Sequence, residues 1–64
     1  MSSPSAAEIG AIAEGIESYR ARTAGLAEPL IGGPDEDLLS SLYEAERTLK
    51  NALRALYRAE KLAR

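Results

Sequence analysis

PDEDLLSSLYEAERTLKNALRALYRAEKLAR, residues 34–64, decides the fold. After Pro34 this stretch has no further Pro and no Gly, the two residues that interrupt helices. It reads as one helix over 34–63, about 45 Å long at 1.5 Å per residue. Its apolar residues recur at Leu38, Leu42, Ala45, Leu49, Ala52, Leu56, Ala59 and Ala63. Steps of four and three trace one stripe along a helix, as in a coiled coil. Leu39 and Leu53 flank that stripe, and Leu62 lies near its end. Pro34 suits the first helical position, and Asp35, Glu36 and Asp37 suit the positive end of the helix dipole.

Upstream, Gly32-Gly33-Pro34 punctuates the chain, and 29–33 reads as a turn. A first helix is expected within 6–28, ending near Ala27 because Pro29 disfavours helical geometry at Glu28. Residues 1–5 read as a flexible tail ending at the cap. Ser5-Ala6-Ala7-Glu8 fits a capping box, in which the Ser5 hydroxyl and the Glu8 carboxylate each accept from the other residue's backbone N–H. The larger residues of this helix fall at Ile9, Ile12, Ile16, Tyr19, Thr23 and Leu26, again stepping by three and four. Gly10, Gly15 and Gly25 weaken it by up to about 1 kcal/mol each relative to Ala, so packing must hold it. Folding the turn back sets Tyr19 near Ala45 and Ile12 near Ala52, large against small. The longer second helix is expected to leave its last two turns without a partner in the chain.

The resulting fold class is all-α: an antiparallel, coiled-coil-like two-helix hairpin forming one domain over 1–64. Composition agrees. There is no Phe, Trp or Val, and the only aromatics are Tyr19, Tyr43 and Tyr57, so burial falls to Leu, Ile and Ala. Sheet cores draw instead on β-branched and aromatic residues.

Domains of 64 residues bury a poor fraction of their surface, and many need a disulfide, a metal or a partner. There is no Cys for a disulfide, and with no His either a zinc staple is improbable. Association remains. The expected packing and oligomer residues are Ile9, Ile12, Ile16, Tyr19, Leu26, Leu38, Leu39, Leu42, Leu49, Leu53, Leu56 and Leu62. Ala13, Ala24 and Ala27 widen the first stripe. Together these exceed what one hairpin covers, and two hairpins in a four-helix bundle, or a hetero-partner's helix, would cover them.

Catalytic chemistry is poorly supplied. No Cys or His is present, and Ser18, Ser40 and Ser41 lack a base. Gly32-Gly33 lacks the Lys-Ser/Thr of a phosphate-binding loop. Glu14, Glu17, Glu44 and Glu46 lack the His that carboxylate metal bundles use. No catalytic, cofactor or metal site is therefore expected, and the chain reads as a non-enzymatic interaction module: an adaptor, an assembly factor or a regulator. The alternative rests on Arg47, Lys50, Arg54, Arg58 and Lys61, a cationic ridge facing away from the stripe. Such a ridge would suit an acidic partner or a nucleic-acid backbone. A solvated face that complements the C-terminal dipole is favoured over that. The net charge of −2 does not point to a nucleic-acid binder. No apolar run nears the ~20 residues that span a bilayer. The start lacks a secretory pattern, and the cytoplasm is the expected location.

Overall fold

The computed structural model describes residues 5–64, and the expectation of a tail over 1–4 lies outside them. Two helices pack antiparallel: α1, Ala6–Ala27, and α2, Glu36–Ala63. A single 3-10 turn, Glu28–Leu30, follows α1 directly. No strand occurs among the described residues. The hairpin is a rod, 53 × 16 × 14 Å between Cα extremes, with both outer helix ends at the pole away from the turn.

Ser5 caps α1: its backbone is extended and its side-chain oxygen accepts from the Glu8 N–H at 3.0 Å. The reciprocal bond, from the Ser5 N–H to the Glu8 carboxylate, is not formed among the described residues, so half of the expected capping box is present. At the other end Glu28 keeps right-handed helical geometry (φ −54°, ψ −47°), despite the Pro that follows. Pro29 enters the first turn of the 3-10 segment, where its missing N–H costs nothing. The chain reverses at Ile31–Asp35, and Gly32 takes φ +82°, a conformation that Gly adopts without steric cost. Asp35 is the N-cap of α2, which places Pro34 ahead of the helix instead of at its first position. Glu36 and Asp37 occupy the first turn, favourably placed on the dipole.

The two helices touch along one line. On α1 the line of contact runs Ala6, Ile9, Ala13, Ile16, Arg20, Thr23 and Ala27, with Gly10, Glu17 and Ala24 half-buried beside it. On α2 it runs Leu39, Leu42, Glu46, Leu49, Leu53, Leu56 and Glu60, with Ala59 half-buried beside it. Both series step by three and four, as a coiled-coil seam does. Ala13, Ala27 and Leu53 are its most enclosed members.

This seam differs from the expected stripes in phase. Ile9, Ile16, Leu42, Leu49 and Leu56 lie where expected. Ile12, Tyr19 and Leu26 do not face α2 and are 56, 58 and 66% exposed. Leu38, Ala45 and Ala52 are exposed too, whereas Leu39 and Leu53, expected on the flank, belong to the contact. The cause is a choice between two phases that share every second residue. Centring α2 on Leu39, Leu42, Leu49, Leu53 and Leu56 puts its bulk in the seam. Ala13 and Ala27 opposite then let the two backbones approach closely enough to enclose that bulk.

Arg20 meets Glu46 across the seam. Equal steps outward from that contact along both helices set Ala6 level with Glu60. α2 therefore projects about one turn beyond α1 instead of two, because the 3-10 turn carries the first strut further before the chain reverses.

Leu53 is 5% exposed and carries the largest enclosed side chain of the seam. Leu53→Ala is expected to lower unfolding stability by about 2 kcal/mol or more, the usual cost of emptying a buried Leu site. Urea titration at fixed protein concentration checks this, and a change under about 0.5 kcal/mol, typical of surface sites, would contradict the placement.

Candidate interaction surface

One polar cluster interrupts the seam. The Arg20 Nε donates to Glu17 Oε2 at 2.8 Å and its Nη2 to Glu17 Oε1 at 2.9 Å, a bidentate grip within α1. Its Nη1 donates across the seam to Glu46 Oε2 at 2.8 Å. Lys50, one turn on from Glu46 in α2, stands 3.9 Å from the same oxygen and joins the network. The Arg20 hydrogen bonds hold the Glu17 carboxyl below the ordinary value of 4.5, and Glu17 in turn raises the Arg20 guanidinium beyond its usual range. Sequence reasoning missed Arg20. The signal was available in Glu17-x-x-Arg20, a helix pair at i,i+3, with Glu46 on the facing helix.

The seam has two sides, and they differ. In an antiparallel pair, the residues that precede the enclosed Ala13, Arg20 and Ala27 share a side with those that precede Leu39, Glu46 and Leu53. That side carries Ile12, Tyr19 and Leu26 from α1, and Leu38, Ala45 and Ala52 from α2. The opposite side carries Gly10, Glu17, Tyr43, Lys50 and Tyr57. Two contacts fix this division. Gly10 and Tyr57 line one shallow groove with Ala7, Ala11, Ala13, Glu14 and Glu60. Lys50 lies close enough to Glu17 to favour its charged form. In that groove the Glu60 carboxylate reaches over Gly10, within 2.8 Å of where a Cβ would stand. Although Glu60 and Arg64 are spaced i,i+4 on one helix, they form no ion pair among the described residues.

On the first side α2 presents a second regular strip: Leu38, Ser41, Ala45, Thr48, Ala52, Ala55, Ala59 and Leu62. Its steps alternate three and four, and it carries no charge. All of these residues but Ala59 are exposed, Leu62 at 81%. Beside it on α1 stand Ile12, Tyr19 and Leu26, with Arg22 over the Tyr19 ring at 5.5 Å. The face is thus a ridge of large residues alongside a furrow of small ones.

The exposed area measures what this costs. The accessible surface is 4962 Å². A compact monomer of 6.8 kDa is expected to expose about 4,000 Å². The chain therefore shows about a quarter more surface than one of its mass normally leaves in water.

The cationic ridge lies away from this face. Arg47, Lys50, Arg54, Arg58 and Lys61 are all exposed. Among the described residues only Lys50 of these has an ion-pair partner. Those residues contain no cluster of three or more His, Cys, Asp or Glu that could hold a metal, and no helix long and apolar enough to cross a membrane. Comparison with known proteins returns no matching family, no matching curated protein and no matching solved structure.

The Glu17–Arg20 link carries a pH signature. A carboxyl whose folded pKa is depressed contributes stability above its unfolded pKa and loses it as pH falls through the folded value. Glu17→Gln is therefore expected to lower the urea midpoint near neutrality by more than it does below pH 4.5, with the gap closing as the wild-type carboxylate protonates. Two midpoint curves running parallel from neutral to acid pH would show that Glu17 gains nothing from Arg20 in solution.

Proposed function

We propose that the chain is a non-enzymatic interaction module that works by helix packing and pairs with a second copy of itself. The class of role is that of a small adaptor, assembly factor or regulator. The observation that carries the reading is the open face of the rod, where the exposed Ile12, Tyr19 and Leu26 stand beside the charge-free strip of α2. Exposed apolar patches of this kind are characteristic of association sites. A helical hairpin that offers such a face has a ready solution in a four-helix bundle. Two-fold pairing is the commonest symmetry for self-association.

The test is a mass measurement. Sedimentation equilibrium at micromolar concentration is expected to return twice the chain mass. Ala52 sits mid-furrow and is exposed in the single hairpin, so Glu is tolerable there as a helix former. In a dimer Ala52→Glu would place a charge in a dry contact, and the species is expected to fall to one chain mass with loss of helical signal. A wild-type protein that sediments as a cooperatively melting monomer would overturn the reading.

The unpaired cations at Arg47, Arg54, Arg58 and Lys61 support a second reading, binding to a nucleic-acid backbone. It is less well supported, since Glu8, Glu14 and Glu28 bring acidic charge to the neighbouring helix. Double-stranded DNA titrated at low salt distinguishes the two. Binding that weakens with added salt, and is abolished by Arg54→Glu with Arg58→Glu, would favour this second role. No binding at low salt is the expected outcome.

A further inference from the structure

We infer that the second copy docks about a two-fold axis running along the rod, so that both turns lie at one pole and each α1 ridge fills the furrow of the partner's α2. The inference rests on the pairing proposed above and specifies its geometry. It starts from the asymmetry of the open face. Ile12, Tyr19 and Leu26 form a raised line on α1, all more than half exposed. Ala45, Ala52 and Ala55 form a low line on α2, bounded by Leu38 and Leu62. A face that is high on one half and low on the other is complementary to itself only if the halves are exchanged between copies. Rotation about the long axis does this: α1 lies over α2 of the partner subunit, and heights along the rod are preserved. Rotation about an axis across the rod instead sets ridge on ridge and furrow on furrow, with unequal helix spacings.

Charge at the rim agrees. The Arg20–Glu46 contact shows which heights correspond on the two helices. Equal steps from it place Arg22 level with residue 44 and Glu8 level with residue 58. With the turns together, Arg22 would stand beside Glu44 of the partner subunit, and Glu8 beside Arg58 of the partner subunit. Both are opposite-sign pairs. Size agrees as well. A face about 33 Å long, the length of a 22-residue helix, and about 20 Å wide covers roughly 600 Å² on each copy. The total of about 1,200 Å² reaches the lower bound of specific interfaces.

The geometry is read directly by pulsed electron–electron resonance. Asp35→Cys introduces the only thiol of the chain at the exposed N-cap of α2, whose side chain makes no capping bond. Spin-labelled at this position, the dimer is expected to show a label separation under about 30 Å, the width of a bundle plus the label arms. A label at Arg64→Cys, near the other pole, is expected to do likewise and guards against a disturbed turn. A dimeric mass with separations near the 53 Å length of the rod would overturn the shared-pole arrangement and leave pairing intact. A monomeric mass, with no intermolecular coupling from label at either site, would overturn both.

Discussion

Everything in this molecule follows from having two helices and no third layer. Two cylinders side by side meet along one line, and only residues on that line can be withdrawn from water. Here the line buries Ala13, Ala27 and Leu53, and its other members only in part. Burial at about 25 cal/mol per Å² is the main favourable contribution to folding, while ordering each residue costs about 1–2 kcal/mol. A single seam gives few residues the means to offset that cost, and Ile12, Tyr19 and Leu26 are left more than half exposed beside it.

Within that narrow seam, a charged residue stands where an apolar one would bury more area. Arg20 spends three hydrogen bonds on Glu17 and Glu46, and Lys50 joins from the next turn. Arg20 and Glu46 remain partly wet at 22 and 16% side-chain exposure, which spares them most of the desolvation cost of a buried ion pair. A seam made only of Leu and Ala can slide by a turn at little cost, whereas a fixed donor and acceptor on opposite helices match at one height. The cluster thus exchanges some burial for a defined register. It also explains why Glu17 titrates below its ordinary range although it lies on an open flank.

The elements were legible from the residues. Gly32-Gly33-Pro34 marked the reversal, the uninterrupted run after it marked α2, and Ser5 marked the start of α1. The boundaries moved by a residue or two where Pro29 and Pro34 took positions just outside the helices that their chemistry also permits. The phase of α1 was not legible. Its apolar residues are spread round the helix, so Ile12, Tyr19 and Leu26 compete on size with Ala13 and Ala27 for the seam. Size decides when a face packs alone. Here α2 already supplied the bulk, and the smaller set was needed opposite it. The polar cluster escaped for a related reason: a stripe drawn through large apolar residues passes beside Arg20 instead of through it. The large-against-small matching of Tyr19 with Ala45 and Ile12 with Ala52 is not made in the seam, because all four residues are exposed.

The antiparallel path brings Ser5 and Arg64 to one pole and leaves Gly32 and Gly33 at the other. Whatever is joined to this chain at front or back hangs from a single end, like two cords from one eyelet. The opposite tip lies the length of the rod away from both.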